Sequence, residues 1–372
     1  MTSDNLISEE KSGPSIVTGM SPLSLRNLSR QLSSCPDPGE APVRYTPEEA
    51  GAIVFFLCLL MIMTVAGNLL VILSVILFRQ MRTLTNFFVL SLAAADILVA
   101  LLVMPFGAYN IYQNLEWHLG DTMCKIATCF DVMLTTASIL HLSCLAMDRY
   151  YAICNPFFYH ERITKKTVKL LLVGCWVIPI LISWIPIMNS WNTIGIEEVI
   201  SCITPPDGKA CIFLVNMPYA LFGSIIAFYG PTIFMFLVNL KIYNEAKRQA
   251  MQIRSLEMTT LHAKGQKPEK DMRQERKAAK TLSVIMGCFC ACWCPFFFFN
   301  ILDPMVGYRI PFTAWQLAVW LGYVNSTINP FLYYFFNRTF RRAFIKVVMC
   351  YKCRGIKDHS EAMVTNFSQI SD

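Results

Sequence analysis

Seven apolar stretches constrain this chain more than anything else in it. They lie at about 50–78, 84–108, 123–149, 168–189, 217–243, 279–302 and 312–336. Each has at least the ~20 residues that a helix needs to cross a hydrocarbon layer. Inside lipid every backbone N–H and C=O must be bonded internally, so only helices and closed barrels span it. The stretches therefore predict an all-α membrane protein, a bundle of seven transmembrane helices over 48–336. A soluble enzyme is excluded: 55% of the residues are hydrophobic and 15% charged, where soluble domains carry about a quarter charged.

The net charge of +7 sits in alternate loops rather than in one patch, which argues for membrane orientation and against a nucleic-acid partner. Arg79 and Arg82 follow the first span, and Arg162, Lys165 and Lys166 follow the third. Nine Lys and Arg fall in 244–278, and Arg338, Arg341, Arg342 and Lys346 follow the last span. By the positive-inside rule the N-terminus is outside and the C-terminus cytoplasmic. Residues 1–47 are rich in Ser, Pro, Glu and Gly and read as a disordered extracellular tail without a cleavable signal peptide. Asn27-Leu-Ser within it is a glycosylation acceptor. Over 337–353, Phe340, Phe344, Val347 and Val348 share one helical face, which predicts a short amphipathic eighth helix on the inner leaflet. Cys350 and Cys353 at its end are candidates for palmitoylation, before a cytoplasmic tail at 354–372.

Two residues break the apolar rule on one span. Asp131 and Arg149 are eighteen residues apart, about five turns, so they share a helix face ~27 Å apart. One helix holds an acid near the outer mouth and a base at the inner end. An acid at membrane depth costs about 2.5–3.5 kcal/mol, and few basic residues are available within the spans to pair with Asp131. A protonated amine arriving as ligand would meet that need with a charge-assisted hydrogen bond. A structural acid bonded to a Tyr such as Tyr323 is the plainer reading, and the two are compatible. Trp293 and Phe296–Phe299 around Pro295, with Trp320 and Tyr323, supply aromatic faces for such a ligand, although an aromatic run alone is more often packing.

Asp96 lies mid-span, with Asn68, Ser138, Asn325, Ser326 and Asn329 at comparable depth. That set reads as a water-filled polar cluster able to hold a small cation such as sodium, or as polar glue between helices. Pro231, Pro295 and Pro330 each free a carbonyl and permit a kink. Phe289 lies four residues before Trp293 on the same side. Glu275 lies eighteen residues before Trp293 and can pair with Arg149 at the inner end, as can Asp148. Most of the fifteen cysteines lie in apolar spans as small hydrophobes. Cys35, Cys124, Cys202 and Cys211 fall on the outer, oxidising side. A Cys124–Cys211 bond would pin the loop 190–216 over the bundle mouth and leave Cys35 and Cys202 for each other; sequence does not decide the pairing.

Asp148-Arg-Tyr150, Cys292-Trp-Cys-Pro295, Asn329-Pro-Phe-Leu-Tyr333, Gly67-Asn68 and Trp176, each at its matching span, resemble the rhodopsin-like G-protein-coupled receptors over about 48–350. Asp131, with Trp320 and Tyr323, is similar to the biogenic-amine branch. Within it, Glu275-Arg-Lys-Ala-Ala-Lys and Trp320-Leu-Gly-Tyr-Val-Asn-Ser resemble the trace-amine-associated receptors, and also the type-four serotonin receptors. The spare Cys35 and Cys202 favour the trace-amine side, where a second tail-to-loop disulfide is typical, and an olfactory role goes with it. Asn337-Arg-Thr-Phe departs from that pattern.

The resemblance implies a ligand site of Asp131, Val132, Thr135, Ser224, Trp293, Phe296, Phe297, Trp320 and Tyr323. Glu197, Glu198, Asp207 and Asp303 are the candidates for a second amine. It implies an activation set of Asp148, Arg149, Tyr150, Ile139, Pro231, Glu275, Phe289, Asn329, Pro330 and Tyr333. It also implies a heterotrimeric G protein of the stimulatory type, an arrestin and a receptor kinase as partners, membrane lipid around the bundle, and no cofactor. Asn239 stands where the family usually has a Tyr supporting Arg149, which puts activation or basal signalling in question. Residues 312–336 hold no Lys for a retinal Schiff base, with Tyr323 in its place, which argues against a light sensor. No internal repeats suggest a transporter, and neither metal-spaced His residues nor a nucleophile elbow suggests an enzyme.

Overall fold

The computed structural model describes residues 45–203, 210–260 and 269–349, without the side chains of 203, 250 and 253–282. Among the described residues there is no strand. Helix α1 is Pro47–Leu77. Helix α2 is Leu84–Leu102, which resumes after Val103 as Met104–Tyr112. Helix α3 is Asp121–Cys154, running past Arg149, and α4 is Lys165–Met188. Helix α5 runs from Met217–Ser224 through a π turn, Ile225–Tyr229, into Gly230–Thr260. Helix α6 is Glu269–Met305, α7 is Phe312–Phe336 and α8 is Arg338–Val348. Short helices Pro156–Arg162 and Glu197–Ile203 lie in the loops.

Local chemistry sets these starts. Thr46 and Glu49 form a reciprocal capping box with Pro47 in the first turn of α1. Thr83, Thr164, Asn216 and Asn337 each accept a backbone N–H at the head of α2, α4, α5 and α8. The π turn in α5 ends at Gly230, just before Pro231, and needs that glycine. A Cβ there would stand 2.9 Å from the Ile225 carbonyl oxygen.

Among the described residues six helices are long and apolar enough to cross a membrane. The seventh expected span, α7, is 25 residues long and diluted by Asn325, Ser326, Thr327 and Asn329, all buried in the bundle. Helix α3 forms the axis: 67% of its most apolar window is buried, against 17% for α1 and 22% for α4. The outer helices present side chains such as Phe56 and Leu170 outward. That suits a solvent of hydrocarbon, in which association rests on packing and polar contacts rather than on expelling water. Thr64 and Thr327 share a hydrogen bond of 2.6 Å, and Asn68 Nδ2 donates to the Ser326 carbonyl at 3.0 Å. Such bonds are worth only about 0.6 kcal/mol each, so α1 is held to α7 by several of them together with close packing.

Helix α8 packs Phe340, Ala343 and Phe344 against the bundle, with Phe340 stacked on Tyr333 at 5.2 Å. Val348, expected on that face, is 72% exposed. It sits two turns on from Phe340, where the residue drift of a helix has carried it off the packed side, and Ala343 fills the face instead.

Candidate functional site

Asp131 lies on α3 where two cavities meet. The larger, 410 Å³, is walled by α3, α4, α5 and α6. The smaller, 170 Å³, is walled by α2, α3, α7 and the segment after Cys211. Both are lined by Asp131, Thr128, Phe213 and Phe296. One Asp131 carboxylate oxygen accepts from the Tyr323 hydroxyl at 2.8 Å, and the other from Thr135 at 3.5 Å. Among the described residues no Lys, Arg or His forms an ion pair with it. The arrangement leaves a negative group, with neutral donors only, facing space large enough for a small organic cation.

Of the residues expected with Asp131, Val132, Thr135, Trp293, Phe296 and Phe297 line the larger cavity, and Trp320 and Tyr323 line the smaller. The rings form a connected wall. Trp293 meets Phe296 edge-on at 5.6 Å and Tyr323 at 6.2 Å, and Phe297 stacks on Phe228 at 4.4 Å. Ser224 is not brought to the cavity. Its hydroxyl is fully buried and accepts from Asn300 Nδ2 at 2.9 Å, so Gly223, Ile226 and Ala227 form that stretch of wall. The polar group offered there is Asn300, whose Oδ1 has no partner among the described residues. Asn300 is seven residues, about two turns, beyond Trp293, so the helical period of α6 pointed to it. Phe213, two residues past Cys211, was likewise findable, because a bond to Cys124 draws its neighbours into the mouth.

The candidate second-amine groups are not gathered at the cavity. Glu197 and Glu198 are exposed, and Glu197 Oε1 accepts from its own loop at Gly195 N, 3.1 Å away. Asp303 is 3% exposed, accepts from Ile310 N and Trp315 Nε1 at 3.1 Å each, and lines neither cavity. Asp207 lies outside the described residues, as do Asn27, Cys35, Cys350, Cys353 and the side chain of Glu275. Cys124 and Cys211 are joined, closing 87 residues and laying the loop across the mouth. Cys202 is also disulfide-bonded, to a partner outside the described residues.

Deeper in the bundle Asn329 Nδ2 donates to Asp96 Oδ2 at 2.8 Å. Asp96 Oδ1, Asn68 Oδ1, Asn325 Oδ1, Asn329 Oδ1, Ser138 Oγ and the Tyr333 hydroxyl are buried without a partner among the described residues. All are oxygen atoms, the donor type that a hard cation takes. Ile139 and Phe289 are fully buried between this cluster and the far end. At that end Arg149 bonds the Asp148 carboxylate and the Thr85 hydroxyl, and Asp148 also accepts from Thr85 at 2.8 Å and Tyr159 at 3.0 Å. Burial, then the Asp148 charge, raise the Tyr159 phenol above its usual range and keep it a donor. A 670 Å³ cavity lined by Arg149, Tyr159, Tyr333 and Phe340 opens beside them. Tyr150 carries Lys241 over its ring at 5.9 Å. Asn239 bonds to Met286 and accepts from Ser283 at 3.2 Å.

A family model for the seven-transmembrane receptors of the rhodopsin family matches residues 67–333. The chain belongs to that family. Its members are multi-pass plasma-membrane receptors that work through G proteins and not by catalysis. This receptor is 47% identical over 313 residues to the guinea pig (Cavia porcellus) 5-hydroxytryptamine receptor 4, covering 81% of this chain and 80% of the relative. It is 40% identical over 323 residues to an octopamine receptor beta-2R of Chilo suppressalis, with coverage of 81% and 80%. It is 40% identical over 286 residues to trace amine-associated receptor 365 of Petromyzon marinus, with coverage of 77% and 76%. Such relatives put the receptor in the biogenic-amine branch.

Proposed function

We propose that this receptor binds a small protonated amine at Asp131 from outside the cell and signals through a heterotrimeric G protein docked on its Arg149 face. The carrying observation is Asp131 itself: a carboxylate bonded, among the described residues, only to Tyr323 and Thr135, opening on a cavity of 410 Å³ walled by aromatic rings. A cation entering there gains a charge-assisted hydrogen bond in a low-dielectric pocket. Trp293, Phe296 and Phe297 then hold the body of the ligand. The candidate amines are serotonin, an aromatic trace amine and an aliphatic polyamine; the first two place an ammonium two carbons from an aromatic ring, and the names of the relatives support those two.

An N-terminus outside the cell is supported by the Lys and Arg of the alternate loops and by a disulfide at the opposite end. A Cys35–Cys202 bond follows from the same orientation. In the resting state Arg149 is held by Asp148 and Thr85, and filling the Asp131 site repacks Trp293 and swings α6 about Pro295, releasing Arg149. The unpartnered buried oxygens of Asp96, Asn68, Ser138, Asn325 and Asn329 support a sodium ion, which would neutralise Asp96 while the receptor rests. Motif resemblance supports a stimulatory G protein that raises cyclic AMP, an arrestin and a receptor kinase as partners, lipid contact along α8, and the lipidation of Cys350 and Cys353. Asp131→Ala is the test: at normal surface expression it abolishes the cyclic AMP response to tryptamine and phenethylamine, and an unchanged response rejects Asp131 as the anchor.

A further inference from the structure

Asp303 is an acidic group set apart from the cavities at Asp131. It is 3% exposed at the end of α6, and neither cavity touches it. Both its oxygens are nevertheless engaged. Oδ1 accepts the backbone N–H of Ile310 and Oδ2 accepts the indole N–H of Trp315, each at 3.1 Å. The chain between them turns sharply, with Gly307 at φ 74° and Tyr308 at φ 60°, and Tyr308 N returns to the Asp303 carbonyl at 2.8 Å. From the same turn the Tyr308 hydroxyl donates to the Val215 carbonyl at 3.0 Å. Val215 lies four residues past Cys211, on the segment that supplies Phe213 to both cavities. The α6–α7 loop is thus tied at one side chain to α7 and by its tyrosine to the lid segment.

Trp315 is the beneficiary. Its ring lines the smaller cavity and packs edge-on against Phe296 at 5.5 Å and Phe299 at 6.0 Å. Phe296 lines both cavities. An indole in loose packing turns about two side-chain bonds; a hydrogen bond to a buried carboxylate removes that freedom. The volume so preserved, 170 Å³, matches one aromatic ring, since an apolar cavity of ~150 Å³ takes up benzene.

We infer that Asp303 is a positioning residue: by latching Trp315 and the α6–α7 loop it keeps open the side cavity beside Asp131, and so sets affinity for amines that carry a ring-sized substituent on nitrogen. This rests on the amine reading of Asp131. It replaces a ligand role for Asp303 with one exercised through Trp315.

Two variants and one ligand-independent measurement test it. Asp303→Asn keeps one acceptor and turns an NH₂ towards the other donor; Trp315→Phe keeps a ring and removes the donor. Tryptamine and N-benzyltryptamine are the probes, with surface expression measured alongside. Each variant is expected to weaken N-benzyltryptamine about tenfold and tryptamine less than about twofold. Amide exchange at Ile310 is expected to quicken in Asp303→Asn and to stay unchanged in Trp315→Phe. Equal losses for the two amines, or no loss in either variant, overturn the latch, as does unaltered Ile310 exchange in Asp303→Asn. If the parent receptor binds neither amine, the amine reading fails instead, and the exchange at Ile310 still decides whether Asp303 holds the loop.

Discussion

Gly322 on α7 is where the aromatic wall of the cavity is most easily disturbed from behind. A Cβ added there would stand 2.6 Å from Trp293 Cζ3 and 2.7 Å from Cε3 and Cη2. Ordinary contact of ~3.5 Å or more demands that the six-membered ring of the indole retreat by roughly 1 Å. It has nowhere easy to go. Phe296, Phe297 and Tyr323 stand at 5.6, 6.2 and 6.2 Å between ring centres, and Trp293 is only 5% exposed. Overpacking of this kind costs about 1–3 kcal/mol, and α7 cannot simply slide, since it is tied through Thr327 to α1 and through Asn329 to α2. Gly322→Ala is therefore expected to lower the thermal midpoint by several degrees when unfolding is followed with a thiol-reactive dye. The dye reports well because Cys129, Cys175 and Cys292 are free and buried. Gly51→Ala is the control, with nothing within 4 Å of the added atom; it melts with or slightly above the parent because alanine favours a helix by up to ~1 kcal/mol. Trp293→Phe removes the clashing ring atoms, so adding it to Gly322→Ala is expected to cost less than the sum of the two. A Gly322→Ala protein that melts like the parent refutes the contact.

The remaining predictions concern the Arg149 end. Thr85→Ala removes a partner of both Arg149 and Asp148, and is expected to raise ligand-independent cyclic AMP several-fold at matched expression; an unchanged basal level means that these bonds do not restrain the receptor. Phe157, in the short helix Pro156–Arg162, is 95% exposed, and a free aromatic ring on the proposed G-protein face marks a docking anchor. Phe157→Ala is expected to cut the maximal cyclic AMP response while leaving tryptamine affinity alone, and a parallel loss of both would instead indicate misfolding.

The spans were legible because length and apolarity are local properties: a run of about 20 residues without charge has few uses other than crossing lipid. Asp131 was legible for the complementary reason, as a charge in oil stands out in any window. What could not be read was how helices turn relative to one another. Ser224 looks like a ligand group until α6 is placed beside α5 and Asn300 claims its hydroxyl. Asp303 looks like a rim acid until a turn at Gly307 and Tyr308 folds Ile310 and Trp315 back onto it. Val348 shows the same limit on a smaller scale, since drift over two turns separates it from Phe340. The Arg149–Asp148–Thr85 set was half visible: the neighbouring Asp148 was in view, while Thr85 arrives from α2 and gave no sign of its proximity.

A charge-only substitution in the ligand probes the central claim most directly. Tryptamine and its alcohol analogue tryptophol differ at the group that would meet Asp131 and share the indole ring and two-carbon arm. Saturation binding to the purified receptor should favour the amine by about 10- to 100-fold, the worth of one charge-assisted hydrogen bond, and Asp131→Asn should erase that preference. Equal affinity for the two compounds, with Asp131 intact, contradicts the account.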